Sequence, residues 1–284
     1  MIFTCISPCK INEFLYITGR RSDGYHDLET LFVVLNYGDP MSFEIIDDDV
    51  IELDASFDFP KEQNLIYRAA MLLKVKYGVK KGCRITVDKL LPQGGGLGGG
   101  SGNAATVLQV LSVLWDIRLD DEILMQLGMS LGADVPLFIK GVSTFGRGRG
   151  EILTPVNYPP RFYLVVNPGC KAQTSALFSS PLLKRDSKPL TYTEHLKHPF
   201  ENAFTPVVCA QFPQVVSLLQ ALSCYQDARM SGSGSSCFVS FDNKEACDEA
   251  YASFKKKHPD LFCFKASACL ENTIKKALRE QGFI

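Results

Sequence analysis

Residues Pro92 to Ala105 read PQGGGLGGGSGNAA, with six glycines between Gly94 and Gly100 interrupted only by Leu97. Nothing else in the chain restricts its fold as strongly, because this stretch joins a strand pattern to a helix pattern. Upstream, Cys83, Ile85 and Val87 alternate with Arg84, Thr86 and Asp88, the period of a strand. Downstream, Ala104, Val107, Leu108, Leu111 and Leu114 share one helical face. Glycine lets successive amides turn inward without a Cβ clash, and the helix N-terminus behind them adds a positive dipole end. The result is an anion cradle, most simply for phosphates. Ordering six glycines costs on the order of several kcal/mol of conformational entropy, which a merely flexible loop would not justify. A tight strand-to-helix crossing is the plainer alternative. No Lys-Ser or Lys-Thr closes the loop, so it is not a Walker A motif. A dinucleotide fold fits poorly, since no acidic residue ends a second strand of a βαβ unit.

Around this centre the chain alternates strands and helices. KINEFLYI, ETLFVVLNY and MSFEII are rich in β-branched and aromatic residues, and SDG and YGDP read as turns between them. A helix is expected to begin at Asn64 and stop at Gly78, and a second to run from Asp121 to Leu131 with Asp120 as its cap and Gly132 as its end. After about residue 155 the pattern restarts with the buried strand RFYLVVNPG. An irregular connection over 180–199 follows, then a helix around Pro213, the strand CFVSF, a helix after Asp242 and the strand FCFKASACL. Asp242 and Glu245 have capping-box spacing. The second half reads as a sheet with helices on one face.

Three further segments carry chemistry. In SPCKIN, Lys10 and Asn12 stand two apart in a strand pattern and share a face; a surface lysine on an edge strand is the plainer alternative. In SLGADVP, Asp134 lies between a helix stop and Pro136, where capping the next helix would also explain it. Ser231 to Ser236, SGSGSS, is a second glycine-serine loop, either a plain hairpin or a second wall over a polyphosphate.

Length and composition set the frame. The 284 residues suit one large or two medium domains, and a net charge of −1 without basic runs favours neither nucleic acid nor an anionic membrane. No stretch approaches the roughly 18 apolar residues of a membrane span, and the first residues lack a signal-peptide pattern. The ten cysteines are scattered without Cys-x-x-Cys pairs, so reduced core thiols in a cytoplasmic protein are expected.

Together PCKIN, GRRSDGYHDLETLF, PQGGGLGGGSGNAA, GADVP and SGSGSS resemble the GHMP kinase superfamily over essentially the whole chain. RSDGYH and the tripled glycines narrow the resemblance to the branch acting on a cytidine diphosphate-linked polyol in non-mevalonate isoprenoid synthesis. The resemblance implies an α+β, two-domain GHMP kinase fold. A glycine-loop N-terminal α/β domain would span 1–155 and a ferredoxin-like C-terminal domain 156–284, with the active site in the cleft between them. It implies transfer of the γ-phosphate of ATP, with Mg²⁺, to a hydroxyl of a small molecule.

Pro92, Gly94, Gly95, Gly96, Leu97, Gly98, Gly99, Gly100, Ser101 and Gly102 would wrap the ATP phosphates. Asp134 would take the hydroxyl proton and Lys10 would offset charge. Tyr25 and Phe178 would sandwich the cytosine, His26 would read its edge, and Asn12 would lie beside them. No residue is assigned as a metal ligand, and a monomer or weak homodimer is expected. A mevalonate-derivative or homoserine kinase gives no reason for a Tyr-His pair after an SDG turn. A non-catalytic nucleotide sensor would not need both Lys10 and Asp134. Three departures from the family pattern stand out: Gly102 replaces a second serine, Cys9 replaces an alanine, and Arg147 and Arg149 add cations.

Overall fold

The structure is a computed structural model that describes residues 2–54 and 59–284. Strand β1, Ile2–Arg20, pairs antiparallel along its length with β2, His26–Ile46. ETLFVVLNY and MSFEII are therefore not two strands, because YGDP does not turn. Opposite the bulge at Pro8 and Cys9, a Cβ on Gly38 would stand 1.7 Å from the Ser7 carbonyl oxygen, so only glycine lets β2 pass straight through. β2 also pairs with β4, Gly82–Val87, and with β5, Thr144–Arg147. Short strands β3, Ile51–Asp54, and β6, Ile152–Pro155, complete a six-stranded sheet.

Helices α1, Leu65–Tyr77, and α2, Gly99–Leu114, cover one face of this sheet and bury Leu73, Val107 and Leu108 against Phe43 and Ile85. The expected caps are present. The Asn64 side chain accepts from Ile66 N, Gly78 ends α1 in the left-handed region, and Asp120 accepts from Ile123 N at the start of α3, Asp121–Leu131. Helix α4, Val135–Lys140, follows directly.

The second half forms a four-stranded antiparallel sheet from β7, Phe162–Asn167, β8, Arg229–Met230, β9, Cys237–Phe241, and β10, Phe262–Ser267. Its order β10-β7-β9-β8, with helices between β7 and β8 and between β9 and β10, is ferredoxin-like. The segment 162–200 carries α5, Thr174–Phe178, and α6, Tyr192–His195, the latter with a capping box between Thr191 and Glu194. The connection over 180–199, expected to be irregular, thus holds a short capped helix. The helix around Pro213 is two helices, α7, Thr205–Gln211, and α8, Pro213–Ser223, because a proline after Phe212 cannot continue the first. Helix α9, Lys244–Lys257, is capped by Asn243, whose side chain accepts from Ala246 N, and not by Asp242; the last cap lies one residue nearer the helix than the spacing indicated.

The two sheets face each other. Ile11, Phe14, Leu31 and Val33 of the first pack on Tyr163, Val165, Phe238 and Phe264 of the second. The C-terminal helix α10, Thr273–Glu280, crosses back and buries Ile274 and Leu278 in the core of the first sheet. All ten cysteines are free thiols; most are buried or half-buried, but Cys224 is exposed. No single helix among the described residues is long and apolar enough to cross a membrane.

Candidate active site

The glycine loop is held from three sides. On β2, the fully buried Asp39 accepts from the amides of Leu90 (2.9 Å) and Leu91 (2.8 Å) and pairs with Lys89, which fixes the chain entering the loop. From β1, the Lys10 amide donates to the Leu97 carbonyl at 2.9 Å. From the second sheet, the Ser231 hydroxyl donates to the Gly96 carbonyl at 3.0 Å and the Ser236 amide to the Gly95 carbonyl at 3.1 Å. SGSGSS is thus a buttress behind the first loop. A Cβ on Gly96 would meet the Ser231 carbonyl oxygen at 2.3 Å, so this contact requires glycine there. Gly98, at φ 69°, turns the chain into α2.

In front of the loop lies a cleft of about 430 Å³, lined by the loop from Pro92 to Ser101 and by residues of α1, with Thr174 and Ser233 at its rim. Asn64 faces this cleft, and its buried Nδ2 has no partner while its Oδ1 caps α1. The sequence marked Asn64 only as a helix start; its free Nδ2 at the cleft was hidden because a cap accounts for the residue fully.

Lys10 and Asp134 converge beside this cleft, Nζ to Oδ2 at 4.0 Å. Lys10 is 5% exposed and lies against Gly98. Burial pushes its ammonium below the usual lysine range, and the Asp134 carboxylate opposes that shift. Lys10 Nζ donates to Asn12 Oδ1 at 2.6 Å. Asn12 Nδ2 donates to Thr30 Oγ1 at 2.8 Å, and the Thr30 hydroxyl donates to the Phe14 carbonyl at 2.6 Å. The shared strand face places Lys10 and Asn12 together, but Asn12 stands with the lysine and not beside Tyr25 and His26. Asp134 precedes α4 but its side chain makes no capping hydrogen bond, so its carboxylate is left to face Lys10, and it remains about a third exposed.

On the other side of Asp134, Ala133 borders a second cavity of about 730 Å³ that Tyr25, His26 and Phe178 also line. His26 stacks on Phe178, centroids 4.9 Å apart and planes at 18°, and Phe178 meets Phe204 edge-on at 5.0 Å. Tyr25 is exposed, and the Arg149 guanidinium lies over its ring at 4.8 Å. Tyr25 and Phe178 therefore line one cavity, each with one ring face already covered. His26 Nε2 is buried and has no partner. Burial, then the nearby charges of Arg185 and Arg20, hold the imidazole below its ordinary range.

Two of the three departures find structural reasons. A Cβ on Gly102 would meet the Pro8 carbonyl oxygen at 2.4 Å, so glycine lets α2 close onto β1. Cys9 points into the core between the sheets, fully buried, and burial drives its thiol far up; it takes no part in the site. Arg147 is exposed at the end of β5. Among the described residues no group of three His, Cys, Asp or Glu could hold a metal ion.

The arrangement is two clefts joined by a lysine-carboxylate pair, suited to moving a phosphoryl group between two ligands. Known proteins match it. The family description "GHMP kinases N terminal domain" matches residues 64–142, and "GHMP kinases C terminal" matches residues 193–260. A 4-diphosphocytidyl-2-C-methyl-D-erythritol kinase of Pseudomonas fluorescens (strain SBW25) is 43% identical over 251 residues, covering 88% of each chain. The crystal structure of a 4-(cytidine 5'-diphospho)-2C-methyl-D-erythritol kinase superposes with a TM-score of 0.82 at 29% identity, covering 93% of this chain and 98% of that one. A homoserine kinase from Cytophaga hutchinsonii superposes at 0.68 with 15% identity, covering 96% of each chain, a likeness of fold alone.

Proposed function

The chain belongs to the GHMP kinases, among the relatives that phosphorylate 4-diphosphocytidyl-2-C-methyl-D-erythritol, and on that footing we propose that it transfers the γ-phosphate of ATP to the 2-hydroxyl of that substrate in the non-mevalonate isoprenoid pathway. The observation that carries this reading is the position of the Lys10–Asp134 pair. Lys10 touches Gly98 of the phosphate loop, and Asp134 adjoins Ala133 at the edge of the cavity of Tyr25, His26 and Phe178.

ATP lies with its phosphates on the amides of Gly94 to Ser101 at the start of α2, where donors and dipole oppose the charge of the triphosphate. Asn64 Nδ2 is free to meet the adenine edge. Asp134 accepts the proton of the acceptor hydroxyl as that oxygen attacks in line. Lys10, oriented by Asn12, neutralises charge on the transferred group. Phosphoryl transfer asks little more of the protein than positioning and charge stabilisation. Mg²⁺ needs no all-protein cage here, since it binds largely through substrate phosphates and the waters it keeps. The Ser101 hydroxyl, which lines the phosphate cleft, would hold it together with those phosphates, and it would lower the charge of the β- and γ-phosphates.

The cytosine occupies the cavity of Tyr25, His26 and Phe178. His26 is neutral there, and a neutral imidazole supplies one donor and one acceptor to the base edge. The protein works in the cytoplasm, and its two domains span residues 1–155 and 156–284, with α10 returning to the first. An ADP-release assay with diphosphocytidyl-methylerythritol, mevalonate and homoserine as acceptors tests the proposal. Turnover with the cytidine compound alone is expected; turnover with either of the others at a comparable rate would refute it.

A further inference from the structure

Three arginines, Arg20, Arg149 and Arg185, line the cavity of Tyr25, His26 and Phe178, and no acidic side chain lines it with them. Three like charges around one concavity repel each other and favour an anionic occupant. The three are not equivalent. Arg185 commits three of its five N–H donors to the backbone: Nη1 donates to the Leu183 carbonyl at 2.9 Å, and Nη2 donates to the carbonyls of Phe178 and Ser180, both at 2.7 Å. It pins the turn that carries Phe178. Arg20 and Arg149, both exposed, make no ion pair with a carboxylate among the described residues. The acids beside them are engaged otherwise: Asp23 and Asp27 both pair with Arg21, although Asp23 feels the field of Arg149, and Glu151 accepts from the Arg149 backbone amide. The Arg149 guanidinium carbon lies 4.8 Å from the centroid of the Tyr25 ring, and its side-chain N–H groups make no hydrogen bond among the described residues, which leaves them for an anion.

We propose that Arg20 and Arg149 form the site for the diphosphate of the cytidine substrate, with Arg149 held in place by its contact on Tyr25. This rests on the cytosine reading above. In the substrate the diphosphate joins the base-bearing half to the polyol, so cations belong between the aromatic wall and Asp134, where this cavity runs. Arginine binds phosphate oxygens through paired N–H donors, which suits a diphosphate better than a single point charge does.

The test is calorimetric titration of cytidine, CMP and CDP into the wild type and into Arg20→Met, Arg149→Met and the double variant, with ATP as a control. Wild type is expected to bind CDP more tightly than cytidine. Each single variant should lose about tenfold in CDP affinity and the double variant about a hundredfold, the size of one and two charge-assisted contacts. Affinity for cytidine and ATP should stay within about twofold, and raised salt should erode the preference for CDP in wild type only. Equal losses for cytidine and CDP would show that the arginines merely brace the aromatic wall, and unchanged CDP affinity would place the diphosphate elsewhere; either overturns the proposal. Wild type binding neither cytidine nor CDP would overturn the cytosine reading itself, a result distinct from both.

Discussion

Lys10 is a cation held almost out of water by its neighbours, and its chemistry follows from that. Its lowered range means that it loses its proton as pH rises, before the 10.5 of an ordinary lysine. The account therefore predicts that kcat falls on an alkaline limb whose midpoint lies below that value, read from a pH–rate profile. His26 shifts in the same direction with the opposite consequence. Its imidazole stays neutral until the pH drops below the ordinary 6.5, so KM for the cytidine substrate should be flat through neutrality and rise only in acid, and His26→Ala should erase that limb. Asp134→Asn should keep ATP affinity and lower turnover by about 10²–10⁴-fold, the range for a lost general base. Single-turnover rates near wild type would remove Asp134 from that role. At this scale the sequence was legible where geometry is simple. Two residues apart on a strand means one face, and Lys10 and Asn12 indeed touch. The stack of His26 on Phe178 was not legible, because it joins the start of strand β2 to the end of helix α5 across 152 positions of chain, which no local period encodes.

The glycine loop is the element that forms the wall of the first cleft, and its tight contacts turn into predictions. Gly98→Val would force a branched side chain into the left-handed region and against Phe138 and the Lys10 stem, each within about 3.2 Å of a Cβ there. Its KM for ATP should rise at least tenfold, a loss readable in an ATP titration, and unchanged ATP affinity would mean that the loop is only a crossing. Gly102→Ser would add a second hydroxyl after Ser101, yet here its Cβ meets the Pro8 carbonyl. It should cost about 1–3 kcal/mol of stability, the scale of overpacking, visible as a lower midpoint in urea. The loop was legible because glycine, strand period and helix period all pointed one way. YGDP misled because Gly, Asp and Pro signal a turn by composition, whereas here Gly38 serves a close crossing of strands and Asp39 reaches out to the Leu90 and Leu91 amides.

Across the whole molecule, the cleft is only as fixed as the contact between the two sheets. That contact holds a buried polar knot: Glu13 of β1 accepts from the hydroxyls of Tyr158 (2.7 Å) and Tyr163 (2.6 Å) and pairs with Arg229 of β8. Nearby, His195 stacks on both Phe14 and Tyr16 and meets Glu29 at 2.7 Å, which ties the 180–199 connection to the first sheet. Neither knot could be seen in the sequence, because a glutamate within KINEFLYI reads as the solvent side of a strand until a second sheet covers it. The order of segments and the fold class were visible, and the register between the two halves was not. Everything converges on one claim, that the chain phosphorylates the polyol hydroxyl of a cytidine diphosphate compound. The most direct measurement is ³¹P NMR of the products from ATP and diphosphocytidyl-methylerythritol. The account predicts one new phosphomonoester resonance on the 2-hydroxyl, appearing with ADP in equal amount while the substrate's diphosphate signals persist. ADP with free phosphate alone, or a phosphate on another hydroxyl, would contradict it.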